Sequence, residues 1–455
     1  MFNQYRIIHF VGIGGIGMSG IAEVLHNLGY EVTGSDIRES GTTIRLRSLG
    51  MKISIGHDEK NIDNAHVVVI SSAVSPTNLE VIAARDRAVP VIPRAEMLAE
   101  LGRLKYGILV AGAHGKTTTT SLVATLLGEG GLDPTVVIGG KLKAIGSNAR
   151  LGQGEFLVAE ADESDGSFLK LSPTIAVITN IDREHMDYFK DIETLKGAFL
   201  SFINKVPFYG VAIVCKENEH TRTIIPQIQR RVLTYGLSHD SDMYAKNIRY
   251  EGARMSFEAV FKGDSLGMFS VPVPGIHNVL NSLAAILTAM ELQVPLEKIR
   301  DGLGSFSGIQ RRFELRGEAK GVRVYDDYGH HPVEIRAVLK AARECFSDSR
   351  IVIIFQPHRF SRTRDLMDDF ALSFGSADRL YLMDIYAASE VPIEGIDSQA
   401  LLMRMRDVGS VKADHISDRK ELVKTVLSDL RPGDVLITLG AGDVYKTGEE
   451  ILKAL

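Results

Sequence analysis

Residues 106–118 read Tyr-Gly-Ile-Leu-Val-Ala-Gly-Ala-His-Gly-Lys-Thr-Thr. The first part is an apolar run of strand length, a glycine-bounded turn follows, and residues 119–127 carry the periodicity of an amphipathic helix. A strand that feeds a helix through such a turn points to an α/β fold, and the turn's N–H groups converge at the helix N-terminus, where an anion is favoured. Lys116 adds a cation for phosphate oxygens, and Thr117 and Thr118 add hydroxyls for Mg²⁺. The strict G-x-x-x-x-G-K-[ST] spacing is not met, because Val110 stands where its first glycine should be. The shorter turn of Gly112, Ala113, His114 and Gly115 still brings backbone donors onto one phosphate.

A second turn of this kind lies upstream. Gly12-Ile13-Gly14-Gly15-Ile16-Gly17 follows an apolar strand at 6–12 and leads into a helix at 18–28, and Asp36 follows the next strand, 31–35. This is the dinucleotide fingerprint, in which glycines admit a pyrophosphate and the acid takes a ribose hydroxyl; it does not say whether the pyrophosphate belongs to NAD. Runs at 67–71 and 89–92 extend this series, which ends in the charged stretch 100–105. After residue 106 come strands at 156–160, 175–180 and 211–215, and hairpin-like segments between 243 and 273. A third series begins near 322 and continues at 350–356, 379–382 and 434–439, with the glycine-rich stretch 302–308 as the approach to a linker. The expected architecture is α/β in three domains: a Rossmann-like domain over 1–104, a P-loop domain over 105–316 and a second Rossmann-like domain over 317–455.

At about 150 residues per domain, 455 residues also imply three. With 45% hydrophobic and 24% charged residues the chain is neither disordered nor fibrous. Its 52 basic against 57 acidic residues give −5, so no global field holds nucleic acid or an anionic membrane, and any phosphate must meet local groups. The apolar stretch 7–22 is broken by glycines and His9 and lacks a basic start, so neither a signal peptide nor membrane insertion is expected, and a cytoplasmic location is. Cys215 and Cys345 are too few for a disulfide framework.

Several motifs, taken in order and spacing, resemble the Mur ligases over essentially the whole chain. They are Gly112-x-His114-Gly115-Lys116-Thr117-Thr118, Glu160-Ala-Asp-Glu163-Ser-Asp165, Thr179-Asn180-Ile-Asp182-x-Glu184-His185-Met-Asp187, Gly275-x-His277-Asn278-x-x-Asn281 and Arg311-Arg312-Phe313-Glu314. The first glycine loop with Met18, Asp326-Asp327-Tyr328-Gly329-His330-His331-Pro332, and Gln356-Pro-His358-Arg359-Phe-Ser-Arg362-Thr-Arg364 are similar to members that join L-alanine to UDP-N-acetylmuramate. The relatives most easily confused with these add a tripeptide to the same sugar nucleotide.

The resemblance implies a cytoplasmic, ATP-dependent ligase of peptidoglycan precursor synthesis, in which ATP turns a carboxylate into an acyl phosphate before an amine attacks. By similarity, Gly112 to Thr118, His277, Asn278, Asn281, Arg312 and Asp327 contact ATP. Thr117, Thr118, Glu160 and His185 hold Mg²⁺. Gly12, Gly14, Gly15, Gly17, Asp36, Ser71 and Ser72 bind the UDP-sugar, and Tyr328, His330, His358, Arg359 and Arg362 bind the amino acid. Lys116, His185, Arg312 and His330 carry the chemistry, His330 as the base for the ammonium proton because a free imidazole titrates near enough to neutral pH to accept it. Arg359 and Arg362, i and i+3, would share a face if the segment after Pro357 is helical. Asp162, Glu163 and Asp165 read either as further metal ligands or as a solvated acidic turn. Sister ligases carry a carbamylated lysine where this chain aligns Phe199, with Lys196 nearby. A NAD-dependent dehydrogenase would leave Lys116, Glu160 and His185 without a role, and a non-catalytic nucleotide switch would leave His330, Arg359 and Arg362 without one.

Overall fold

The computed structural model describes residues 6–71, 73–103, 105–142, 147–388, 390–409 and 411–455. Two compact units emerge, one of Met1–Asn247, Phe257–Phe269 and Leu280–Ser307, the other of Ile248–Ser256, Ser270–Val279 and Gly308–Leu455. Three sheets with helices between their strands make the fold mixed α/β, as the alternation in the sequence implies.

The first sheet is parallel. It holds β1 (Ile7–Val11), β2 (Glu31–Asp36), β3 (Lys52–Ile55), β4 (Val67–Ile70) and β5 (Val91–Pro93) in the order β3-β2-β1-β4-β5. The order reverses at β1, so a crevice opens beyond the carboxyl ends of β1 and β4, where such sheets take ligands. The glycine loop leaves β1 there and Ser71 leaves β4. Alternate residues of β1 face opposite ways: Ile8 and Phe10 enter one apolar cluster with Ile21 and Leu25, and Val11 another with Val68 and Ala84.

On the Val11 face lies a buried acid. Glu80, in the first turn of helix Leu79–Asp86, is fully buried, accepts from Ser35 Oγ at 2.6 Å and lies 3.2 Å from His57 Nδ1. Ser35 in turn accepts the N–H groups of Gly12 and Ile13 on its carbonyl, both at 2.9 Å. The glycine loop is thus anchored through Ser35 to a carboxylate far away in sequence.

The second sheet holds β6 (Tyr106–Ala111), β7 (Thr135–Leu142), β8 (Ser147–Arg150), β9 (Phe156–Glu160), β10 (Ile175–Ile178), β11 (Val211–Cys215), β12 (Val232–Gly236), β13 (Met243–Glu251), β14 (Arg254–Phe261) and β15 (Asp264–Val271). Its order is β15-β14-β13-β12-β11-β10-β6-β9-β7-β8. Strand β6 runs parallel to both neighbours, with Val110 opposite Glu160 and Ala111 opposite Ile178. The helix after β6 spans Lys116–Glu129 and starts before the expected residue 119, because Gly115 at φ 82 closes the turn in the left-handed region and lets helical geometry begin at Lys116.

The third sheet holds β16 (Glu314–Ala319), β17 (Val322–Asp327), β18 (Ile351–Phe355), β19 (Arg379–Leu382), β20 (Ala413–His415) and β21 (Val435–Leu439) in the order β16-β17-β21-β18-β19-β20. All pairs are parallel except β16 with β17. The loops leaving β17 and β18 carry Tyr328 to His331 and Gln356 to Arg359.

Burial alone would raise the Glu80 carboxyl, but His9, Ser35 and Asn61 outweigh it and hold the group near 2 against an ordinary 4.5. A depressed carboxyl stabilises the fold above the unfolded-state value, and that contribution disappears as pH falls through the folded-state value. Glu80→Gln is expected to lower stability by about 1–3 kcal/mol at pH 7, and by less at pH 3, in urea unfolding. An equal deficit at both pH values would show that the charge is not what Ser35 requires.

Candidate functional site

The central turn is braced from β10. A side chain at Gly112, where φ is 137°, would collide with the Thr179 hydroxyl, and one at Gly115 would lie 2.8 Å from Asn281 Oδ1. Thr179 Oγ1 donates to the His114 carbonyl at 2.6 Å. Asn180 takes the His114 N–H on Oδ1 at 2.8 Å and donates from Nδ2 to the His114 carbonyl at 2.9 Å. Asn281 is buried and accepts from Thr119 Oγ1 at 3.1 Å, which puts it beneath the turn. Thr117 and Thr118 stand half-buried in the helix's first turn.

Lys116 Nζ lies 2.9 and 3.0 Å from the two carboxylate oxygens of Glu163 and donates to the Gly112 carbonyl at 2.5 Å. Burial alone would lower its pKa, but Glu163 and Asp162 raise it, so the ammonium stays charged at all ordinary pH. Glu163 is 2% exposed, so it is not part of a solvated turn. Asp162 would be raised by burial, but the Lys116 charge and Ser164 hold it below the usual carboxylate range. Asp165 accepts from the Ser167 N–H at 3.0 Å, as a turn residue does.

His185 adopts the left-handed conformation, φ 58 and ψ 37, ahead of the short helix Met186–Phe189. Such a backbone is uncommon outside glycine and collects at functional sites. Ligand atoms of Glu163, Glu184 and His185 all lie within 4.8 Å of one another, and Glu160 ends β9 opposite Val110. Carboxylates with one imidazole suit a small divalent cation, and hard oxygen donors favour Mg²⁺. Glu184 stands in the Thr179–Asp187 motif but received no role from the sequence; its place immediately before His185 was the available signal. Phe199 is 1% exposed and lies 5.2 Å from the Phe168 ring, so this position belongs to the apolar core, and Lys196 pairs with Glu193 at 2.9 Å.

At the first loop, Asp36 accepts the Gly14 N–H on Oδ2 at 2.9 Å. The acid read as a ribose ligand thus also holds the loop. A cavity of about 270 Å³ begins at Gly15, Gly17 and Ser71, passes Arg94, and reaches Glu160 and Asp162. Ser72 lies outside the described residues.

The other unit gathers a second group. Asp327 is 4% exposed, accepts from the Phe313 and Gly329 N–H groups at 2.7 Å each, and is pushed by burial to about 6 against the pull of Arg312. The Arg312 guanidinium lies 5.5 Å from the Tyr328 ring centre and 3.4 Å from Glu334. Glu334 also accepts the N–H groups of His330 and His331 at 3.0 and 3.2 Å; the sequence marks it as the third residue after a helix N-cap. His330 meets Tyr328 and His358 edge to face, and Arg362 Nη1 is 3.3 Å from His358 Nδ1. His277 and Asn278 lie at the start of helix Ile276–Glu291, where Asn278 Nδ2 donates to the Pro274 carbonyl at 2.6 Å.

Two expectations need correction here. His330 does not titrate near neutrality: burial drives it down to about 4 despite Glu334 beside it, so it is a neutral imidazole at pH 7. Arg359 does not share a helical face with Arg362, because the helix is Phe360–Asp365 and Arg359 precedes it at φ 73, exposed. Tyr386, stacked on His358 at 5.6 Å, had no local sequence signal.

Known proteins resemble the chain along its length. Family models match residues 7–106 (Mur ligase family, catalytic domain), 110–289 (Mur ligase middle domain) and 311–442 (Mur ligase, glutamate ligase domain). The UDP-N-acetylmuramate--L-alanine ligase of Geobacter sp. (strain M21) is 57% identical over 455 residues, covering 100% of this chain and 99% of that one. The crystal structure of the UDP-N-acetylmuramate-alanine ligase of Thermotoga maritima superposes with a TM-score of 0.85 at 30% identity, over 98% of both chains. A murein peptide ligase from Psychrobacter arcticus shares the fold, with a TM-score of 0.73 at 24% identity over 99% of this chain and 98% of that one.

Asn180→Ala removes both side-chain bonds to His114 and should lower stability by about 1–3 kcal/mol, read as a lower urea midpoint with an unchanged slope. An unchanged midpoint would mean that the turn holds its shape without this clamp.

Proposed function

The chain belongs to the Mur ligase family, and we propose that it joins L-alanine to the carboxylate of UDP-N-acetylmuramate at the expense of ATP. The observation that carries this reading is the cavity: one end is a glycine loop suited to a diphosphate, the other is Glu160 and Asp162, one strand from the Lys116 turn. A nucleotide sugar held at the first end would present its carboxylate to a triphosphate held at the second. Residues 1–104 are assigned to the UDP-sugar, 105–316 to ATP and 317–455 to the amino acid. The reaction belongs to peptidoglycan precursor synthesis in the cytoplasm. No helix among the described residues is long and apolar enough to cross a membrane.

A carboxylate does not accept an amine at neutral pH. Its oxygen attacks the γ-phosphorus, ADP leaves, and the resulting acyl phosphate is attacked at carbon by the L-alanine amine; phosphate departs and the amine loses a proton. Lys116 stabilises charge on the transferring group, and Arg312 is assigned to the γ-phosphate. Thr117, Thr118, Glu160 and His185 would hold Mg²⁺, with Glu163 and Glu184 beside His185. The ion supplies charge neutralisation where the carboxylate meets the triphosphate. His277, Asn278, Asn281 and Asp327 are further residues assigned to ATP, and Gly12, Gly14, Gly15, Gly17, Asp36, Ser71 and Ser72 are assigned to the UDP-sugar. Arg362 clamps the L-alanine carboxylate, with Tyr328, His330 and His358 around it and Arg359 at the rim. His330, a neutral imidazole, is the group assigned to take the ammonium proton.

Phosphate release from ATP should require UDP-N-acetylmuramate and L-alanine together, and a tripeptide should not replace L-alanine. Lys116→Ala should lower turnover by about 10²- to 10³-fold in a folded protein; wild-type turnover would remove Lys116 from the phosphoryl step.

Arg362→Ala is expected to raise the L-alanine KM by more than about tenfold, with acyl-phosphate formation, trapped by hydroxylamine, close to wild type. Arg359→Ala should act more weakly because that side chain is exposed. A normal L-alanine KM in the Arg362 variant would place the amino acid elsewhere.

A further inference from the structure

Arg94 carries no role in the reading above, yet it is the one cation among the described residues lining the cavity. It opens helix Arg94–Gly102 directly after Pro93 of β5. The side chain extends to the glycine loop: a methyl group at Gly17 would lie 2.9 Å from Arg94 Nη1 and 3.2 Å from its Cδ. The last glycine of the fingerprint is usually explained by helix–strand packing. Here its missing side chain is the space that the guanidinium occupies.

The guanidinium is loosely held. Its Nη2 lies 3.5 Å from Asp162 Oδ2, beyond the 2.7–2.9 Å of a charge-assisted hydrogen bond. Asp162 has other support, from the Ser164 N–H at 3.1 Å and the Lys116 charge. Arg94 can therefore turn to a stronger anion without leaving a bare carboxylate behind. The nearest place for that anion is the first turn of helix Ile16–Asn27, where N–H groups already favour negative charge.

We infer that Arg94 is a diphosphate-binding residue: its guanidinium clamps the two phosphates of the UDP-sugar against the glycine loop, exchanging the loose pair with Asp162 for two-point hydrogen bonding. A planar fork of donors suits this task better than an ammonium. The inference rests on the proposed function, since it requires a sugar nucleotide in this cavity. It assigns Arg94 to the diphosphate and not to the sugar's carboxylate, because the guanidinium packs on Gly17, whereas the carboxylate must reach the Lys116 turn.

The test titrates the full chain with UDP-N-acetylmuramate and with UDP-N-acetylglucosamine, which has the same diphosphate but lacks the carboxylate. Arg94→Ala should weaken both by the same factor, about 10- to 100-fold, with ATP affinity unchanged, and Arg94→Lys should recover only part of the loss. In turnover the UDP-N-acetylmuramate KM should rise far more than kcat falls. A loss confined to UDP-N-acetylmuramate would show that Arg94 reads the carboxylate, and unchanged affinity for both would show that it serves only Asp162; either result overturns the inference and leaves the proposed function standing. If Arg94→Ala also loses ATP binding, Arg94→Lys decides: ATP affinity retained with both sugar nucleotides weakened supports the clamp, and wild-type affinity for them overturns it. A wild-type chain that binds neither sugar nucleotide defeats the proposed function itself, and the inference with it.

Discussion

Three neighbouring parallel strands end level with one another, and the central site depends on that register. Val110 lies opposite Glu160 and Ala111 opposite Ile178, so the turn after β6, the acid ending β9 and Thr179-Asn180 after β10 emerge along one line. A slip of one residue would reverse every side chain on the slipped strand and take Glu160 off the site. The apolar strands hold this register through burial on both faces, as parallel sheets require. The polar groups at the edge are then placed by the core behind them.

Two buried carboxylates show how the edges are finished. Glu80 and Asp327 each hold a loop, yet they depart from the ordinary range in opposite directions, to about 2 and about 6. Side-chain donors and a nearby imidazole face Glu80 and outweigh its desolvation, whereas the two backbone N–H groups and Arg312 facing Asp327 do not. Glu80 therefore fixes its loop across the physiological range, while the hold of Asp327 on the turns carrying Arg312 and Gly329 changes in mildly acidic solution.

The legible part of the sequence was its local part. The Lys116 turn and Thr179-Asn180 declare themselves by spacing, and the third-domain cluster by its histidines and arginines. Residues whose role is set by distant partners did not: Glu163 looks like one acid of a solvated run until burial brings it to Lys116, and Glu80 is separated from Ser35 by 45 residues. Asp36 was legible as the acid for a ribose hydroxyl, but not that it would also turn inward to Gly14. Arg359 was misplaced by one position, because a backbone in the left-handed region at a helix entrance leaves no mark in side-chain periodicity. His330 was judged by its free imidazole, and only its surroundings reveal how far burial depresses it.

Lys116 rests on two carbonyls of its own turn and on Glu163, so the resting turn is already neutralised from within. An arriving anion has to displace a bidentate carboxylate before it gains the ammonium. A single phosphate or chloride, abundant in any cell, offers too little in exchange, whereas a triphosphate that also reaches the turn's amides and brings its own counter-cation offers more. In the proposed reaction the pair would thus act as a threshold that small anions do not meet, so that selection of a triphosphate would begin at the turn, before any base or ribose is read.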